Sequence, residues 1–231
     1  MDAETLLAPE LWQAIWLTCR LAFTTTLVLL LIGIPLAYWL TSTRQRGVLI
    51  VEALVSMPIV LPPTVIGFYL LILLSPQNAF GQFWLDMSGF ALTFSFPGLV
   101  IGSVVYSLPF AVQPFQAAFR SVPKELIESA ASLGANQWQL FRRIRLPIAS
   151  AGIAIGCMLS FAHTMGEFGV VLMLGGSIPG ETRVASIALF DKVQQLDYPA
   201  AHSYALTLFA IAWILLIGIG LIRRKLEVND Q

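Results

Sequence analysis

Charge is scarce in this chain. Only 11% of its 231 residues are Asp, Glu, Lys or Arg, against about 25% in an ordinary soluble domain. A soluble core of this length leaves a surface that needs charge, so the scarcity points to lipid as the solvent. The net charge is zero, which excludes a nucleic-acid partner held by bulk positive charge. Cysteine is confined to Cys19 and Cys157, both in apolar stretches, with neither metal-ligand spacing nor a disulfide framework. They read as small core residues. Histidine is confined to His163 and His202, and no Ser/His/Asp constellation or metal cluster stands out. There is no Gly-x-x-x-x-Gly-Lys-Ser/Thr loop, nor any Gly-Lys pair. Without that backbone cradle and its lysine there is no phosphate site for ATP. The first ten residues carry Asp2, Glu4 and Glu10 but no Lys or Arg, so the first apolar stretch is expected to be an uncleaved span, not a signal peptide. No low-complexity stretch and no repeat at a fixed period is seen.

What the chain has is apolar length: 57% of its residues are hydrophobic. A span needs about 20 apolar residues at 1.5 Å each to cross roughly 30 Å of hydrocarbon. Five stretches qualify, 16–40, 48–74, 94–119, 147–174 and 201–222. Backbone in lipid must satisfy its own hydrogen bonds, so each is expected to be a helix; the alternating ten-residue strands of a membrane barrel are not seen. The predicted fold is therefore an all-α polytopic membrane protein with five transmembrane helices in one domain over 1–231. Basic residues follow spans one (Arg44, Arg46), three (Arg120, Lys124, Arg142, Arg143, Arg145) and five (Arg223, Arg224, Lys225). The opposite side holds only Arg183 and Lys192 among several acids. The positive-inside rule places the N-terminus outside and the C-terminus in the cytoplasm.

The loop 77–89 reads as a short turn region with Asn78, Gly81 and Gly89. In the outer loop 175–199, Val184, Ile187, Ala188 and Val193 suit one side of a short amphipathic helix. The inner loop 121–147 reads as two short helices joined at a glycine. Pro123 suits a first turn, Gly134 a left-handed stop, and Asn136 a cap with Gln139 three residues on. Leu140, Phe141 and Ile144 give the second helix an apolar side, and Pro147 is expected to end it and begin the next span. Such a two-helix knob suits a groove on a partner protein. An amphipathic hairpin lying on anionic headgroups fits the same spacing.

Within this loop Glu128, Ser129 and Ala130, then Gly134, then Ile144, Leu146 and Pro147 resemble the EAA loop of ABC-importer permeases. The spacing matches at every position, and Ser129 replaces the first alanine. The resemblance implies a type I importer permease whose cytoplasmic coupling helices seat in a separate ATPase. Three more segments are similar to the molybdate/tungstate permeases: Met57-Pro-Ile-Val-Leu-Pro-Pro63, His163-Thr-Met-Gly-Glu-Phe-Gly169 and Gly176-Ser-Ile-Pro-Gly-Glu-Thr-Arg183. Sulfate/thiosulfate permeases share part of this pattern and are the alternative. The resemblance covers residues 12–222. It implies a non-catalytic subunit of the inner membrane, with no cofactor of its own. ATP and magnesium are held by two ABC ATPase subunits. The remaining implied partners are a second permease copy, membrane lipid, and a periplasmic or lipid-anchored oxyanion-binding protein.

Read physically, Pro62 and Pro63 free carbonyls in mid-span, which must be buried in protein or line a watery path. A pathway role is preferred to a mere packing kink, because two adjacent prolines are hard to accommodate facing lipid. Glu167 lies one turn after His163, and an intramembrane carboxylate is a functional candidate. Since it repels a dianion, the expected role is a clamp that accepts hydrogen bonds at the outer gate, or simple helix-packing glue. Pro62, Pro63, Thr64, Gly166, Glu167 and Gly169 together form the candidate path or gate. Glu181 and Arg183 are candidates for contact with the binding protein. Gly152 and Gly156 read as packing, Thr24, Thr25 and Thr26 as back-bonding hydroxyls, and Arg20 as an interfacial side chain that snorkels or, alternatively, lines the route. An ion-driven carrier is expected to show charged pairs within spans, and a lipid-headgroup enzyme a cluster of intramembrane acids or histidines; neither is present.

Overall fold

The computed structural model describes residues 9–43 and 47–229, with side chains described as far as Leu221. Arg44 and Arg46, and the side chains of Arg223, Arg224 and Lys225, lie outside the described residues. The described chain is helical throughout. In order come α1 (Pro9–Ser42), α2 (Gly47–Val60), α3 (Pro63–Leu74), α4 (Ala79–Ser88), α5 (Phe96–Arg120), α6 (Lys124–Ser132) and α7 (Gln137–Leu140). A π-type turn, Phe141–Arg145, joins α7 to α8 (Leu146–Met165), and α9 (Gly169–Gly175), α10 (Ala185–Gln194) and α11 (Tyr198–Asn229) follow. Pro9–Ser42, Phe96–Arg120, Gln137–Met165 and Tyr198–Leu221 are each long and apolar enough to cross a membrane. The fifth candidate is α2 plus α3, bent by 114° at their junction.

The bundle is organised around α1, α5 and α8. On α1 the buried residues Leu11, Ile15, Thr18, Ala22, Thr25, Leu29, Gly33, Ala37 and Leu40 recur at spacings of three and four, one helical stripe. That stripe meets Val112 and the fully buried Phe115 of α5. Gly152 and Gly156 let α8 come close to α5: a Cβ on Gly156 would stand 2.6 Å from the Phe115 ring, and one on Gly152 2.5 Å from Ala118 Cβ. Their packing role is thus visible directly. Glu52 on α2 accepts from Gln116 Nε2 at 3.0 Å and pairs with Arg120 at 3.1 Å, which ties α2 to the end of α5. α11 packs loosely, with Phe209, Trp213, Ile214 and Leu216 exposed to what is, by composition, lipid.

The structure corrects the sequence reading at five places. Stretch 48–74 is not one straight span, because Leu61 and Pro62 each precede a proline and are driven out of helical conformation; Pro62 is extended (φ −55°, ψ 135°). Stretch 147–174 stops at Met165 and restarts as the short α9. The turn region 77–89 is a helix, capped by the Asn78 side chain and closed by Gly89 at φ 78°. Pro147 stands in the first turn of α8 as expected, but it does not end the helical run before it. The chain runs continuously over Gln137–Met165, and the π turn sends the Leu146 N–H to the Phe141 carbonyl, which absorbs the register change that a proline in the next position demands. Finally, Val193 is exposed, although Val184, Ile187 and Ala188 are buried against the bundle as expected.

Candidate functional site

The two helix breaks meet. A Cβ on Gly169 would lie 2.9 Å from Pro63 Cβ and 3.3 Å from Thr64 N, and one on Gly67 would lie 2.8 Å from Met173 Cβ. Residues a hundred positions apart, Pro63 and Thr64 on one side and Gly169 on the other, thereby form one contact. Ile66, Val170, Val171 and Leu174 seal it in a common apolar cluster. Pro62, Thr64 and Gly166 are exposed beside it.

Glu167 sits in the second break and is 4% exposed. The polar group beside the carboxylate is the Ser103 hydroxyl of α5, which stands close enough to interact with it although neither group meets full hydrogen-bond geometry. It is the main chain of Glu167 that is held, its carbonyl accepting from Ser186 Oγ at 2.6 Å. Nearby, α5 and α8 are joined by Ser107, whose Oγ lies 2.9 Å from His163 Nδ1 and 3.0 Å from Thr164 Oγ1. The His163 ring stacks on Phe110 with centroids 3.8 Å apart. Ser103, Ser107 and Thr164 were not singled out from the sequence, although Ser103 and Ser107 stand one turn apart on one face of α5. A buried carboxylate with one weakly placed hydroxyl beside it costs stability. Glu167→Gln is accordingly expected to raise the thermal midpoint of the purified protein by about 3 °C. A drop of the same size in a melting scan means that the carboxylate holds a stabilising partner.

At the end of the bundle that carries the α1 N-terminus, the loop 177–183 is locked from within. Thr182 Oγ1 donates to the Gly175 carbonyl at 2.6 Å and accepts from Ile178 N. Arg183 Nε donates to Ser177 Oγ at 3.0 Å and stands 3.6 Å from Asp191. Arg183 thus braces the loop from within while its side chain stays partly exposed, and Glu181 is exposed. Arg20 lies with its guanidinium 4.3 Å from the Phe96 ring centroid. Thr24 and Thr26 bond back to Arg20 and Ala22, while the buried Thr25 hydroxyl has no partner among the described residues.

At the opposite end projects the hairpin of α6 and α7. α6 buries no residue, and Leu126, Leu133 and Trp138 are exposed, Leu133 by 89%. Gly134 has φ 87°, the left-handed stop expected at that position. Asn136 and Gln139 form a reciprocal capping box, with both bonds at 2.9 Å. Ala130, Gly134 and Ile144 line a shallow groove with Leu133, while Glu128 and Ser129 are exposed on the helix before it and Leu146 and Pro147 lie beyond the π turn. Among the described residues no group of three His, Cys, Asp or Glu is placed to hold a metal ion.

Residues 12–227 match the family described as the inner membrane component of binding-protein-dependent transport systems. The chain belongs to that family. It is 44% identical over 211 residues to the molybdenum transport system permease protein ModB of Azotobacter vinelandii, covering 91% of this chain and 93% of the relative. The sulfate transport system permease protein CysT of Escherichia coli is 32% identical over 222 residues, covering 96% and 80%. Among solved structures, a bacterial ABC transporter that imports alginate superposes with a TM-score of 0.78 at 21% identity, covering 97% of this chain and 84% of that one. The MetNI methionine transporter gives 0.73 at 17% identity, covering 97% and 99%. The fold is that of ABC-importer permeases. As a member of this family the chain is a non-catalytic, multi-pass inner-membrane permease subunit; ATP is bound by a partner ATPase.

Proposed function

We propose that this chain imports molybdate or tungstate as a homodimer, with the route on the two-fold axis, two ATPase subunits below and an external oxyanion-binding protein above. The anion choice rests on the 44% identity to a molybdenum permease over nine-tenths of both chains. Sulfate or thiosulfate is the second reading, favoured by the 32% identity to a sulfate permease. The observation that carries the importer reading is the hairpin: a helix with no buried residue, exposed apolar side chains, and a capped turn. In this reading Glu128, Ser129, Ala130, Gly134, Ile144, Leu146 and Pro147 seat the ATPase. The contact of Pro63 and Thr64 with Gly169, flanked by Pro62, Gly166 and Glu167, is the gate. Glu181 touches the binding protein. The N-terminus then lies outside and the hairpin in the cytoplasm, where ATP draws two hairpins together and favours the outward-facing state.

Gly134 tests the seat. Its φ of 87° suits only glycine cheaply, and a β-branched residue there costs about 1–2 kcal/mol of strain or reorients the hairpin. Gly134→Val is expected to lower recovery of the ATPase with the purified permease roughly tenfold, the equivalent of about 1.4 kcal/mol. Undiminished recovery removes the seat from this turn. Uptake of labelled molybdate into proteoliposomes with binding protein and ATP, challenged by excess sulfate, decides the anion. Equal competition by sulfate overturns the molybdate assignment.

A further inference from the structure

We infer that Tyr38 and Arg145 are the positioning residues of a joint through which the hairpin moves the membrane bundle. The inference rests on the importer reading above and adds to it the point where force leaves the hairpin. α6 buries nothing, so a pull on the hairpin reaches the bundle through its two ends, the turn 121–123 that continues α5, where Val122 is buried, and the segment that follows α7. That segment is the π turn Phe141–Arg145, whose bond from Leu146 N–H to the Phe141 carbonyl spans one residue more than in an α-helix. π turns interrupt the regular ladder and recur at functional sites. Left to itself, such a turn is a pivot between hairpin and α8.

The structure clasps that pivot to two other helices at one side chain. The Tyr38 ring lies 4.8 Å from Phe141, within the π turn, and 5.7 Å from Phe119 on the last turn of α5. Phe119 and Phe141 are themselves 6.2 Å apart, and Trp138 stacks on Phe141 at 5.8 Å. Arg145, the last residue of the turn, places its guanidinium 5.2 Å from the Tyr38 centroid and donates through Nη1 to Ser42 Oγ at 3.2 Å. Tyr38 and Ser42 stand one turn apart at the end of α1, where a cation also meets the negative end of the helix. Both ends of the π turn, Phe141 and Arg145, are therefore gripped by the same ring. A guanidinium over an aromatic face and edge-to-face rings hold a defined geometry, as a lipid-like apolar contact does not. With the clasp closed, displacement of the hairpin carries α1, α5 and α8 together. With it open, the hairpin still hangs from α5 by the turn 121–123, but the π turn flexes and α1 and α8 no longer follow.

The test uses the whole transporter in proteoliposomes with its binding protein, and reads molybdate taken up per ATP hydrolysed. In Tyr38→Leu and Arg145→Ala the ATPase is expected to stay bound and to hydrolyse within about twofold of wild type, while uptake per ATP falls at least ~tenfold, since the ring and the guanidinium are the two halves of one cation–π clasp. Tyr38→Phe keeps the ring and is expected to keep the ratio. Arg145→Lys keeps the charge without the planar fork and is expected to fall between. A purely structural role for these residues lowers the yield of complex and leaves uptake per ATP unchanged in what remains; that result overturns the joint. Should Tyr38→Leu fail to assemble, Arg145→Ala and Arg145→Lys decide the matter by the same ratio. A wild-type chain that binds no ATPase overturns the importer reading itself, and is distinguishable because no variant is involved.

Discussion

Replacing Pro62 and Pro63 together by alanine is expected to reduce uptake roughly twofold while the ATPase stays bound, because the 114° bend depends on the proline restriction. Two backbone forces hold that bend. Proline lacks the N–H that an interior helix position needs, and each proline bars the preceding residue from helical conformation. Alanine at both positions restores two donors and frees Leu61 and position 62, for a gain of up to about 3 kcal/mol per proline in a helix interior. Against this stands the packing of α3 on α9, where Ile66 and Leu74 are buried with Val170 and Leu174; each contributes about 1.5–3 kcal/mol. The two sides nearly balance, so the variant populates a straight helix that takes Pro63's successor and Thr64 away from Gly169. Pro63→Ala alone is expected to be mild. Position 63 is the first of its helix, where the missing N–H is no loss, and Pro62 still restrains Leu61. Wild-type uptake in the double variant places the route elsewhere.

This bend also marks how far hydropathy reaches. The apolar stretches overlap each of the four long apolar helices and the bent pair among the described residues, since lipid selects composition without regard to direction. A break that leaves both halves apolar is invisible to that measure unless proline marks it. Pro62 and Pro63 do mark the first break. The second, at Gly166–Phe168, carries no proline, and Val170–Leu174 continue the apolar run, so it read as unbroken helix. The opposite error arose at 77–89, where Asn78 and Gly89 looked like turn residues and are in fact the two caps of a helix. Caps and turns draw on the same residue types for the same reason, a side-chain acceptor or a left-handed backbone.

Local chemistry was legible where its partners are near in sequence. The capping box of Asn136 and Gln139 is three residues long and is found as read. Glu167 shows the contrary case. What surrounds it, Ser103 of α5 and Ser186 of α10, comes from distant segments, and a hydroxyl in an apolar run carries no sign of whether it bonds back to its own helix or reaches across. Nor does the sequence show that Asp191 folds back to Arg183. Tyr38 and Arg145 lie in different spans, and only the meeting of three helix ends brings them together.

A charge at Leu133 is expected to sever the transporter from its motor. This side chain is 89% exposed, so its replacement changes the stability of the isolated permease by no more than about 0.5 kcal/mol. If the hairpin seats in a protein cleft, Leu133 is buried there; its loss costs roughly 1.5–3 kcal/mol, or about 10- to 100-fold in affinity, before the cost of burying a charge. Sign of charge then separates the two occupants that the spacing allows. A protein cleft rejects Leu133→Asp and Leu133→Lys alike, because either charge must be desolvated. An anionic headgroup layer rejects only aspartate, and gains about 1 kcal/mol from the lysine, which joins Arg143 beside the same groove. Recovery of the ATPase with the purified permease reads the outcome directly. Loss in both variants is the expected result; retention in Leu133→Lys with loss only in Leu133→Asp means that the hairpin rests on lipid.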